Sequence, residues 1–460
     1  MTTLAVSAYL NYANLQMAAE AFIRNEKTGI LAASGQQLID ALIEGNKHAS
    51  VFTEIAATEF AKQWEVVDQR SNTGTGFSGT LFRSKITDPS KGLVAGELVV
   101  SFRSTEFVDD HIRDNVATNT QEIFAKGWAF GQIADMEDWY KELASDPTRL
   151  GGQTFSVTGY SLGGHLATAF NLLRREELSQ GPPTASLQQV VTFNGAGVGI
   201  VKPGHSLTSV LADFNTQRRD PAALKAALNL SDRLQPIYQQ ISQNLANGTW
   251  TASTARRELN LAYAGNEADI DTTPPSLPAD AARLRSALDD IIAQQKQATY
   301  LTTISSEGKG KGKRPQEVLA SAIQTQSLDY RLAVLLAGEH TKGKITIGDK
   351  PEPHASLTPL ANQYDVVADT PWSLVANSQY HVGTDVRIAI EDQPNVRGGV
   401  VRDVLTSFGK MLVDGYGRSD FGDDHSLVLI VDSLSVQNTL LNLVPIGQRS
   451  TAQGLVSGRT

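Results

Sequence analysis

The residues with the clearest capacity for chemistry are Gly159-Tyr160-Ser161-Leu162-Gly163, preceded by the apolar run FSVT and followed by the Ala/Leu-rich stretch HLATAFNLLRREEL. Read as strand, turn and helix, this places Ser161 at a sharp turn. A nucleophile there needs small flanking residues, because side chains beside it would strike the strand or the helix. The following helix N-terminus favours negative charge on an oxyanion. In a chain with 38 glycines the five-residue pattern is weak by itself, and the strand before it and helix after it are what make it informative. The chemistry implied is nucleophilic attack by Ser161 on an acyl carbon.

A serine hydroxyl needs a histidine base, and the histidine needs a carboxylate to orient it. The eight histidines are at 48, 111, 165, 205, 340, 354, 381 and 425. The chain order Ser, acid, His places the base well after Ser161. His165 lies one turn along the elbow helix and cannot aim its ring at the Ser161 Oγ. His205, His340 and His354 lie in or beside a helical block. His425 follows the polar loop FGDD and opens the apolar stretch SLVLIVDSLSV, so it can reach a site from a loop; it is the preferred base. His381, in SQYHVGTDV, precedes the strand-like VRIAIED and is second. For the acid, NQYDVVADTPW supplies Asp365, nearer the end of a strand, and then Asp369. Asp385 and Asp392 rank below them, and either Asp365 or Asp369 can instead be a turn or cap residue.

The elements that must hold these groups follow from periodicity. Residues 1–65 read as a helical segment, and WEVVDQ, GFSGTLFRS and GELVVSF as a strand meander broken by turns. TFSVTGYS, the elbow helix and QQVVTFNGAG make a strand–helix–strand unit, which calls for a parallel sheet. From 203 to 350, DPAALKAALNLSDRLQPIYQQISQNL, PADAARLRSALDDIIAQQKQATYL and RPQEVLASAIQTQSLDYRLAVLLAG read as amphipathic helices. Strand texture resumes at NQYDVV. The expected organisation is therefore a helical segment 1–65, a core formed by 66–202 and 351–460, and a helical insertion 203–350 serving as a cap or lid. The GKGKGKR run at 308–314 reads as a solvated loop.

Composition closes several other readings. A net charge of −9 argues against nucleic acid as a main partner. With no cysteine there is no disulfide, thiolate metal site or cysteine nucleophile. The first residues lack the charged and apolar regions of a signal peptide and read as a helix. No run of 18 apolar residues suits a bilayer span. Leaderless secretion and cytoplasmic residence both remain open.

Four segments carry a resemblance to the class 3 lipases, a branch of the α/β-hydrolases that includes bacterial lipases and phospholipase A1-type enzymes. ELVVSFRSTEFVDD is similar to the family strand ending in Phe-Arg-Gly-Thr or -Ser, and VTGYSLGGHLA to its elbow. VVTFNGAGVG is similar to the Val-x-Thr-Phe-Gly strand. NQYDVVADTP followed by YHVG is similar to Asn-x-x-Asp-x-Val followed by Tyr-x-His-x-Gly. The resemblance covers roughly 65–200 and 355–445. It implies Ser161 as nucleophile, Asp365 as acid, His425 as base, and the backbone N–H groups of Thr105 and Leu162 as the oxyanion hole. His381 then falls on the family's non-catalytic histidine. The chain departs from the family at Ser104, where glycine is usual, at Asn194 before Gly195, and in the length of the insertion.

The function implied is a serine carboxylic-ester hydrolase acting on lipid esters, a triacylglycerol lipase or phospholipase A1, in transient contact with a lipid surface and with no metal or organic cofactor. A general carboxylesterase or polyester hydrolase is the alternative within enzymes. A membrane-damaging effector using the same chemistry and a catalytically inactive interaction protein of the same fold are the other readings.

Overall fold

The computed structural model describes residues 5–25, 28–46, 50, 52–106, 112–179, 181–264, 275–306, 324–343, 357–368, 380–388 and 426–444. Among the described residues its centre is a seven-stranded sheet. In chain order the sheet strands are β1 (Trp64–Arg70), β2 (Gly79–Ser84), β3 (Leu98–Phe102), β4 (Thr154–Tyr160), β5 (Ser186–Phe193), β8 (Asn362–Ala368) and β9 (Thr384–Ile388), and they lie side by side in that order. The short strands β6 (Ile200–Val201) and β7 (Thr341–Lys342) form a separate antiparallel pair. The β1–β2 and β2–β3 pairs are antiparallel, and every pairing from β3 to β9 is parallel. This is the mostly parallel central sheet with flanking helices expected from the sequence.

Parallel neighbours need crossover connections, and helices supply them. Between β3 and β4 the chain forms a π-helix (Ile112–Phe124) and then α4 (Phe130–Ala144); α5 (Leu162–Glu177) joins β4 to β5. β3, from Leu98 to Phe102, is buried at every residue, as a central strand covered on both faces must be. One hydrophobic cluster lies on the α4–α5 face, with Phe102, Phe130, Trp139, Phe155 and Phe170. The other lies beneath α1 (Val6–Ala19) and α12 (Leu427–Asn442), with Tyr9, Tyr160, Phe193, Tyr364, Val366 and Ile430.

Among its described residues the N-terminal segment contains three helices, α1, α2 (Gly35–Glu44) and α3 (Glu54–Gln63). Between β6 and β7 lie α6 (Leu207–Gln217), α7 (Pro221–Leu228), α8 (Leu234–Ala246), α9 (Ala252–Tyr263), α10 (Ala279–Ser306) and α11 (Leu328–Glu339). These helices share the core of the sheet domain. Leu207, Val210, Phe214, Tyr330, Leu332 and Val334 belong to the same cluster as Phe130 and Phe170. The stretch 314–338, which reads as an amphipathic helix, has among its described residues a 3-10 turn at Gln324–Gln326 and an α-helix only from Leu328, where the Ser327 side chain accepts from the Tyr330 N–H.

Candidate active site

β4 ends at Tyr160 and α5 begins at Leu162, leaving Ser161 alone at the junction. Its backbone has φ 53° and ψ −115°, a conformation that costs a residue bearing a Cβ about 1–3 kcal/mol. The surrounding glycines show why the turn tolerates nothing larger. A Cβ on Gly159 would lie 2.0 Å from the Gly163 carbonyl oxygen, one on Gly163 2.2 Å from the Phe102 carbonyl oxygen, and one on Gly164 2.6 Å from the Gly195 Cα. The elbow is therefore wedged between the ends of β3 and β5. The Ser161 N–H donates to the Phe193 carbonyl, and the Ala196 N–H donates to the Ser161 carbonyl.

The same wedge brings the loop after β3 to the elbow. Phe102 pairs with Gly159 across the parallel ladder, so Arg103, Ser104 and Thr105 leave the sheet beside Ser161. Thr105 is buried, and its hydroxyl accepts from Asn119 Nδ2 at 2.9 Å. Among the described residues the Thr105 N–H has no acceptor within the protein. Three described non-glycine residues have positive φ: Ser161, Asn194 and Asn229. The turn at Ser104 thus needs no glycine. At position 194 the chain does bend into the left-handed region (φ 42°), and asparagine tolerates that conformation.

Asp365 lies in β8, opposite Thr192 of β5. Its carboxylate is buried. Oδ1 accepts from the Thr192 hydroxyl at 2.7 Å and from the Gly195 N–H at 3.2 Å. Oδ2 lies 3.5 Å from His381 Nδ1. Asp385 of β9 sits directly across the ladder from Asp365. Burial raises the Asp385 pKa above the ordinary carboxylate value, and repulsion from Asp365 raises it further.

Of the other expected groups, Leu162 opens α5 immediately after Ser161. His425, Asp369 and Asp392 lie outside the described residues. The described chain resumes at Ser426, and Leu427 next along is buried in the same hydrophobic cluster as Tyr160, the residue before Ser161. His165 is fully buried, with Nε2 accepting from the Ala129 N–H and Nδ1 donating to the Gly197 carbonyl at 2.8 Å. Burial lowers its pKa to about 4, so it is a neutral structural histidine holding α5 to two loops. A separate cleft, lined by Leu15, Trp64, Leu93 and Gln189, lies at the N-terminal ends of the strands and contains none of these residues.

No family model matches the chain, and no curated protein matches it. Among solved structures it is similar to M37 lipase, with 13% identity, 72% of this chain and 91% of that one covered, and a TM-score of 0.28. It is also similar to Rhizomucor miehei triacylglyceride lipase (16% identity, 44% of this chain and 65% of that one, TM-score 0.24). Lipase II from Rhizopus niveus is matched at 21% identity, over 43% of this chain and 65% of that one, with a TM-score of 0.24. Likenesses this loose carry no activity across, so the reading of the site rests on its own geometry.

The supporting roles of several residues gave no signal in the sequence. Thr192 and Gly195 hold Asp365, yet the sequence marks them only as part of the family-like strand VVTFNGAGVG, not as partners of the aspartate. Glu20 reaches Ser104 from 84 positions away, and no local pattern marks such a contact.

Proposed function

We propose that the chain is a serine carboxylic-ester hydrolase acting on lipid esters, of the triacylglycerol lipase or phospholipase A1 type. The observation that carries the proposal is the strained backbone of Ser161 at a strand–helix junction, flanked by glycines that permit no side chain. Strain of this kind persists only where the surroundings impose it, and it aims the hydroxyl out of the turn.

In this reading His425 takes the proton from the Ser161 Oγ as the oxygen attacks the ester carbonyl. Asp365 orients the imidazole and stabilises its charge. The N–H groups of Thr105 and Leu162 hold the oxyanion. The alcohol leaves with the proton from His425, and water, activated by the same base, releases the carboxylic acid. Two features support His425: the chain order, and the burial of Leu427, just beyond it, in one cluster with Tyr160. The insertion 203–350 serves as the cap, with α6 and α11 anchored in the core and the helices between them contributing acyl-chain contacts.

A second reading makes His381 the base, because its ring is the one described beside Asp365. One experiment separates the two. Hydrolysis of a short p-nitrophenyl ester and of a long-chain phosphatidylcholine is measured for wild type, Ser161→Ala, His425→Ala and His381→Ala. The proposal expects Ser161→Ala and His425→Ala each to lose about 10³-fold or more in kcat, with His381→Ala much milder. A large loss in His381→Ala with His425→Ala active moves the base to His381. A wild type inert on both esters favours the non-catalytic interaction protein instead.

A further inference from the structure

We propose that Glu20, at the C-terminal end of α1, is a positioning residue for the oxyanion-binding turn, so that the N-terminal helix is part of the hydrolytic machinery. The inference rests on the reading of Ser161 as nucleophile and of the Thr105 N–H as an oxyanion donor.

Glu20 is completely buried, which is costly for a carboxylate unless its oxygens are satisfied. Both bond the residue before Thr105: the Ser104 N–H donates to Oε1 at 2.9 Å and the Ser104 hydroxyl to Oε2 at 2.9 Å. The carboxylate thus fixes the backbone of Ser104 from two directions. The Thr105 N–H follows one peptide later, in a loop that the β3–β4 register holds against the elbow.

The neighbouring contacts brace the same turn. Gln16 Nε2 donates to Glu20 Oε1 at 2.7 Å and to the Phe102 carbonyl at 2.9 Å. The Ser101 hydroxyl donates to Gln16 Oε1 at 2.7 Å. Arg103 turns back to donate to the Ala19 and Ala21 carbonyls, satisfying acceptors at the buried C-terminal end of α1, and pairs with Glu106 at 3.3 Å. Every residue from 101 to 104 is therefore tied to α1, directly or through Gln16. Burial raises the Glu20 pKa to about 7 while Arg103 opposes the rise. Tyr160, on β4, is the other titratable group that feels its charge. So large an investment in a buried acid is hard to explain as packing alone, because an apolar residue of the same volume would fill the space without the desolvation cost.

Glu20 touches neither substrate nor nucleophile, so its effect is on geometry at the transition state. Misplacing an oxyanion donor by about 1 Å costs on the order of 10²-fold in rate. The test measures kcat and KM on a p-nitrophenyl ester for Glu20→Met, Glu20→Gln, Glu20→Asp and Ser161→Ala, with each variant counted by titration of active serine with a fluorophosphonate. The expected result is a kcat per titrated site about 10²-fold lower in Glu20→Met, with KM within about two-fold. Glu20→Gln, which keeps one acceptor, should recover most of that loss. A purely structural role would lower the number of titratable sites and leave the rate of each unchanged. Wild-type kcat per site in folded Glu20→Met, with Ser161→Ala inactive, overturns this inference and leaves the hydrolase reading standing. Full activity in Ser161→Ala overturns both. If Glu20→Met does not fold, Glu20→Asp decides: its carboxylate is one methylene short of Ser104, so kcat per site should fall about ten-fold, and a wild-type value overturns the proposal.

Discussion

At Thr192 one hydroxyl helps decide where the Asp365 carboxylate points. The aspartate is buried and needs donors, and it takes one from Thr192 and one from the Gly195 N–H. Valine has the shape of threonine without the hydroxyl. Thr192→Val should therefore leave Asp365 Oδ1 short of a donor, destabilise the protein by about 1–3 kcal/mol, and lower kcat by about ten-fold with little change in KM. Thermal unfolding and steady-state kinetics on a p-nitrophenyl ester check the two halves separately. Unchanged kcat would mean that Gly195 alone orients the acid.

At the scale of elements, a fully buried ion pair joins α11 to the π-helix. Arg331 and Glu122 are fully buried and pair at 3.3 Å, and Arg331 also meets Asp290 of α10 at 2.6 Å. Tyr330 donates to Glu122 at 2.9 Å and the Gly131 N–H donates to its other oxygen. Removing one partner from such a pair leaves an uncompensated buried charge, so Arg331→Met should cost about 3–5 kcal/mol in chemical denaturation. Burial raises the Glu122 pKa to about 7, against the pull of Arg331. A carboxyl whose folded pKa exceeds its unfolded value contributes stability below the unfolded value, and this is lost as pH rises through the folded one. The wild type should therefore lose stability relative to Glu122→Gln between about pH 4.5 and 7, in denaturation midpoints measured side by side. Parallel pH curves for the two proteins would show that Glu122 stays ionised throughout.

At the scale of the whole molecule, the insertion is continuous with the core. α11 is buried along nearly its whole length, and Tyr330 packs edge-on against Phe214, itself beside Phe130. Excising 207–339 would expose the apolar side of α4 and α5, so the remainder should fail to unfold cooperatively by circular dichroism. A cooperative, soluble remainder would mark the insertion as an independent unit. No helix among the described residues is long and apolar enough to cross a membrane.

The sequence by itself determined the elements that are local. The strand FSVT, the small residues around Ser161 and the helix after it are consecutive, so their physics is readable from neighbours alone. The strand–helix–strand rhythm likewise predicts the parallel sheet. Only the tertiary structure decided which distant groups meet. Asp365 was preferred in the sequence for its place near a strand end, but its partners Thr192 and Gly195 come from another strand, and the pairing depends on register between β5 and β8. The tie from Glu20 to Ser104, and the burial of α11 as core, follow from how apolar faces stack. Periodicity shows that a face is apolar; which other face covers it is settled by shape and close packing across the whole chain.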